Sequence, residues 1–186
     1  MENYKIWTTD IQDWTKLTKD TVNFCLSQAE LSLKSSIETS DRITTRAFSI
    51  LTIVIPIVSL SIGYLFKQII DHTTDKYILI AAIFGLFSCF LSLLFLIRII
   101  FPRDWMSLGG QPKDIFTSNM LDNEFSPELK YVAIVMGEIQ AVQYKINFNQ
   151  SSNFKRLDYL KAVIVILSIT FFCITVFAVR QLLFFI

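Results

Sequence analysis

The stretch AFSILTIVIPIVSLSIGYLF, Ala47 to Phe66, decides the fold: twenty consecutive residues without a charge. At 1.5 Å per residue an α-helix of this length crosses a hydrocarbon core of about 30 Å. Two further stretches read the same way. YILIAAIFGLFSCFLSLLFLI, Tyr77 to Ile97, is twenty-one residues long, and AVIVILSITFFCITVFAV, Ala162 to Val179, is eighteen; neither carries a charge. Three such runs predict three transmembrane helices. The third is the shortest, which leaves a re-entrant or interfacial helix as the other reading of that segment.

Composition agrees. Of 186 residues, 53% are hydrophobic and 18% charged, with seventeen Phe and a mean hydropathy of +0.50. Soluble domains are nearer one quarter charged. The net charge of +1 lacks the basic excess of a nucleic-acid binder, so no direct nucleic-acid binding is expected. The first 46 residues hold six basic and seven acidic side chains and no early apolar run, the pattern of a chain without a signal peptide.

The distribution of Lys and Arg sets an expected orientation. Six lie in the N-terminal arm and eight between Arg98 and Lys161. The Lys67–Lys76 loop has two, and the tail has Arg180 alone. The arm and the second loop are therefore expected in the cytoplasm, with the chain multi-pass in the membrane and its C-terminus outside.

The expected fold class is an all-α membrane protein with three transmembrane helices, an N-terminal cytoplasmic helix, and a long cytoplasmic helix continuous with the last span. Residues 1–46 form the helical arm, 47–101 the transmembrane hairpin, 102–161 the cytoplasmic loop and long helix, and 162–186 the third span and a short outer tail. In the arm, Trp14, Leu17, Thr21, Phe24, Gln28 and Leu31 are spaced as one helical stripe. Ser40-Asp41 reads as a cap for the helix that becomes the first span, and Pro56 as a kink or a freed carbonyl within it. The segment 102–126 is irregular, with Gly109-Gly110, Pro112 and Asp122-Asn123. Ser126-Pro127-Glu128 is a helix start, with a cap, Pro at the first helical position and an acid in the first turn. No strong breaker follows, so one helix is expected from Pro127 to Val179.

Val132, Val135, Ile139, Val142 and Ile146 line one face of that helix. The same face then carries Asn149 and Asn153 before Leu157, with Gln140, Gln143, Asn147 and Gln150 around it. Amides on a helix seam pair across helices and fix register or copy number. They read either as a solvated linker helix or as a ring of amides at the mouth of an oligomer. Small residues near four apart, Ala81, Gly85, Cys89 and Ser92, give the second span a face for close helix approach. That face packs either the helices of one chain or neighbouring copies. The oligomer and pore candidates are thus Asn149, Asn153, Gln143, Gly85, Ala81 and Ser92. Trp105, Tyr64, Tyr77 and Tyr159 sit at span ends, as interfacial anchors do.

Reactive chemistry is sparse. His72 is the sole histidine, Cys25, Cys89 and Cys173 are scattered, and the spans hold no ionisable acid or base. No nucleophile–base pair, metal site, cofactor site or proton relay is legible, so neither an enzyme nor an active transporter is expected.

The layout resembles a known group. Two close spans are followed by a basic exit with Pro102 between Arg98 and Arg103, then Leu108-Gly109-Gly110-Gln111-Pro112. A long helix with Glu138-Ile139-Gln140 and Tyr144-Lys145-Ile146-Asn147 feeds the last span. From about Asp41 to Val179 this resembles the small membrane effectors of bacterial anti-phage defence, such as the Pycsar transmembrane effectors and related two-to-four-span proteins. The resemblance implies a homo-oligomeric effector that permeabilises or depolarises the inner membrane when triggered. Its partners would be itself, the lipid bilayer and a cytosolic defence protein or nucleotide-signal system. No nucleotide-sensing module is legible, and no site residue carries over. The alternative is a non-conducting accessory or anchor subunit that recruits or regulates a cytosolic partner.

Overall fold

The computed structural model describes residues 16–71, 76–101, 106–109 and 126–184. They form three helices: α1 over Lys19–Asp71, α2 over Lys76–Ile100 and α3 over Pro127–Phe184. Each is long and apolar enough to cross a membrane, the composition of a multi-pass membrane protein whose secondary structure, among the described residues, is helical.

The helix starts are built by side chains. Thr18 Oγ1 accepts the Thr21 N–H at 3.2 Å and caps α1. Ser126 Oγ accepts the Leu129 N–H at 3.3 Å and caps α3 as its sequence predicts. α2 ends at Ile100, one residue short of Phe101, whose α conformation the following Pro102 disfavours. Ser40-Asp41 does not cap a second helix. α1 runs through it unbroken, and Ser40 is fully buried in mid-helix. The helix also continues through Pro56. α3 extends beyond Val179 to Phe184.

The chain divides into two compact units. The first comprises Met1–Ser40 with Arg103–Asn153, the second Asp41–Pro102 with Phe154–Ile186. Two of the three boundaries fall inside long helices, at Ser40/Asp41 within α1 and at Asn153/Phe154 within α3.

The packed face of α1 runs Val22, Leu26, Ala29, Leu33, Ser36, Ser40, Ile43, Ala47, Ile50 and Val54. Alternating steps of four and three make this a heptad seam. On α3 the matching seam is Val132, Val135, Ile139, Val142, Ile146, Asn149, Asn153, Arg156, Leu160, Val163, Leu167 and Thr170. In the first unit the two seams pair in parallel with Asn149 against Ser36, 113 residues apart; in the second, Arg156 meets Thr44, 112 residues apart. In the first unit Val22 clusters with Val132, Val135, Met136 and Ile139, and Leu33 with Val142 and Ile146. In the second, Ile43 and Ala47 cluster with Leu160 and Val163, joined by Leu96 and Ile99 of α2. α2 runs antiparallel to the pair: its C-terminal Ile99 meets Arg156, while Gly85 lies beside Ile174.

The stripe expected on the N-terminal arm is not the packed one. Leu17 is half-buried, Thr21 and Gln28 are exposed, and Phe24 and Leu31 are 65% and 58% exposed; Trp14 lies outside the described residues. The arm has two apolar stripes at helical spacing. The one that packs is unbroken by large polar groups, so it buries apolar area without stranding an amide.

Candidate functional site

The α1–α3 seam carries buried polar residues in each unit. In the first unit Ser36, Ser40, Asn149 and Asn153 are all buried. Asn149 is 2% exposed, and its amide clamps a distant piece of chain. Its Oδ1 accepts the Met106 N–H at 3.3 Å, and its Nδ2 donates to the Met106 carbonyl at 3.1 Å and to Ser36 Oγ at 3.4 Å. Lys145 Nζ donates to the Gly109 carbonyl a few residues on, so α3 holds the Met106–Gly109 stretch at two points. Gly109 has φ +79°, a left-handed conformation that favours glycine. Asn153 Nδ2 donates to the Ser36 carbonyl at 2.8 Å, while its buried Oδ1 has no partner.

In the second unit the seam carries a buried cation, Arg156, 4% exposed. Its Nε donates to the Ile99 carbonyl at 3.1 Å, and a terminal nitrogen donates to Thr44 Oγ1. Ile99 lies in the last turn of α2, whose final carbonyls have no partner within the helix. A guanidinium there satisfies one carbonyl and meets the negative end of the helix dipole. Arg156 thus ties all three helices together. The charge pattern marks it only as a topogenic cation, and the expected seam passes through Leu157, which is half-buried beside the cluster. The signal that finds Arg156 is the three-four spacing itself, which lands on it when continued past Asn153.

Of the residues singled out from sequence, Asn149 and Asn153 are engaged within the chain. Gln143 is half-buried and donates to Asn147 Oδ1 at 2.8 Å, one turn along its own helix. Ser92 is fully buried, and Ala81 and Gly85 are half-buried on the same stripe of α2. A Cβ on Gly85 would meet Ile174 Cδ1 at 3.5 Å, so this stripe faces α3 of the same chain. Cys89 is buried, Cys173 half-buried and Cys25 exposed. His72 and Trp105 lie outside the described residues.

Six hydroxyls of the spans bond back to their own helices. Thr52, Ser59, Ser88, Ser92, Thr170 and Thr175 each donate to the carbonyl four residues earlier, at 2.8 to 3.0 Å. Satisfied in this way, they are tolerated in hydrocarbon without lining water. Tyr159 stacks on Phe95 with ring centroids 5.8 Å apart, and Tyr64 accepts a hydrogen bond from Gln68 at 2.8 Å. Among the described residues no group of three or more His, Cys, Asp or Glu is placed to hold a metal ion.

No family model, curated protein or solved structure matches the chain.

Proposed function

We propose that the chain is a homo-oligomeric inner-membrane effector that permeabilises or depolarises the membrane when triggered. One observation carries this reading: α1 and α3 each belong to both units as single unbroken helices. A trigger that repacks their seam in the soluble unit therefore acts directly on two membrane-crossing helices. The polar residues Ser36, Ser40, Asn149 and Asn153 are where that seam is easiest to repack, because they bury little apolar area. The outward faces of the spans are large and apolar, with Leu60, Phe87, Phe90, Phe171 and Phe172 at 60% exposure or more. They meet lipid or the same faces of neighbouring copies, and a lumen made of them would gate by dewetting. The resemblance to small anti-phage effectors supplies the biological setting, with a cytosolic defence protein or nucleotide signal as the trigger.

The second reading, a non-conducting subunit that recruits a cytosolic partner, draws support from Phe24 and Leu31. These two large apolar side chains, one heptad apart, stand outward from the α1–α3 seam of the soluble unit.

Reconstitution of the purified protein into planar bilayers, with conductance recorded with and without extract from phage-infected cells, tests the first reading. A conducting state is expected on triggering. Silence under every trigger, together with capture of a cytosolic partner that is lost in Phe24→Ser/Leu31→Ser, establishes the second reading instead.

A further inference from the structure

In the second unit the two flanks of the α1–α3 seam are unequal. On one flank Thr44, Leu51 and Val58 of α1 and Tyr159, Ile166 and Cys173 of α3 are all half-buried. This is where α2 lies, since Tyr159 stacks on Phe95 and Arg156 joins Thr44 to Ile99. On the opposite flank Leu157 is half-buried, and below it Ile53 and Leu60 on α1, and Ile164 and Phe171 on α3, are each at least half exposed and leave the flank bare.

At the head of that bare flank stand three cations. Arg42 and Arg46 are one helical turn apart on α1, both exposed. With Arg156 against Thr44, 112 residues apart, Arg46 is level with about position 158 of α3, and Lys161 is three residues, about 4.5 Å, further on. Arg46 and Lys161 are the last charged residues of their helices before the uncharged runs begin. Arg42 and Arg46 have no hydrogen bond or ion pair among the described residues. Lys161 lies 3.3 Å from Asp158, an exposed pair of little strength. Asp41, one turn before Thr44, falls toward the α2 flank.

We propose that this flank is a binding site for an anionic phospholipid of the leaflet on the side of the N-terminal arm. Arg42, Arg46 and Lys161 hold the headgroup phosphate, and the bare apolar flank below them seats the acyl chains. Guanidinium groups bind phosphate oxygens in a fixed two-point geometry, and their charge is complementary to the anionic headgroup. Free phosphate would use the cations but not the apolar groove beneath, so the arrangement fits an amphiphile. The site rests on membrane insertion alone and not on conduction, so a silent protein has it as well.

The full-length protein in zwitterionic phosphatidylcholine nanodiscs, titrated with phosphatidylglycerol, provides the test. Native mass spectrometry reads the lipid retained on the released protein. Preferential retention of phosphatidylglycerol is expected. Arg42→Gln/Arg46→Gln should weaken it about thirtyfold, near a factor of five for each basic side chain. Lys130→Gln, on the soluble unit, should leave it unchanged, and millimolar inorganic phosphate should not compete. Arg46→Glu alone should also weaken retention, and it keeps the test intact if the double variant fails to fold. Equal retention of the two lipids by the unaltered protein, undiminished retention in the variants, or displacement by free phosphate overturns the proposal.

Discussion

Asn149→Ala separates an amide that serves within the chain from one that serves between copies. The native side chain makes three hydrogen bonds, two to the backbone of Met106 and one, at 3.4 Å, to Ser36 Oγ. A net neutral hydrogen bond contributes about 0.5–1.5 kcal/mol, and the longest of these belongs at the bottom of that range. Met106 is only half-buried, so its freed N–H and C=O recover part of the loss from water. Ser36 Oγ keeps its bond to the Leu33 carbonyl at 2.7 Å. The local cost is therefore about 2 kcal/mol, not the sum of three full bonds. The Met106–Gly109 stretch should then open roughly thirty times more often, with α1 and α3 otherwise in place. Hydrogen exchange at the Met106 amide reads this directly, because Asn149 Oδ1 is its acceptor. Unchanged exchange at Met106 together with a change in particle size would refute the reasoning, since it would show the amide acting between copies.

Three further outcomes are expected. Arg156→Met should lower the thermal stability of the detergent-solubilised protein by about 2 kcal/mol, because it strips a cap from α2 and leaves the Ile99 carbonyl buried; replacing a buried charge with an apolar chain offsets part of this. A variant as stable as the native protein would show that the cap contributes nothing net. Gly85→Ala should be tolerated, since its Cβ meets Ile174 at an ordinary 3.5 Å, whereas Gly85→Leu overfills the gap at a cost of about 1–3 kcal/mol in the same melting assay. Equal melting points for the two variants would remove Gly85 from the packed face. Phe24→Ser/Leu31→Ser should shift stability by no more than about 0.5 kcal/mol per site, both being exposed, and a loss several times larger would place them in a core.

The three spans are legible because each uncharged run is long enough to cross a hydrocarbon core and too apolar to face water. The start of α3 is legible because Ser126, Pro127 and Glu128 each have a specific local preference. The face from Val132 to Ile146 is legible because an isolated apolar stripe leaves one choice. Where a helix has two stripes, spacing alone does not choose between them. Leu17-Phe24-Leu31 and Val22-Leu26-Ala29-Leu33 both fit an α-helix, and the second wins because it meets a complementary seam. Ser40-Asp41 resembles a cap because Ser and Asp favour helix starts. That preference is worth about 1 kcal/mol and yields to the packing of Ile43 and Ala47 further along the same seam.

The amino-acid order by itself determined what kind of solvent each segment occupies, since charge and its absence act residue by residue. It also determined where α3 begins, because capping is a matter of four neighbouring residues. Only the tertiary structure decided which residues of α1 and α3 face each other within each unit, and the partners of Asn149, Asn153 and Arg156. These contacts join residues 43 to 117 positions apart. Periodicity shows that a helix has a face, but the identity of its partner depends on how side chains from separate elements fit together in space.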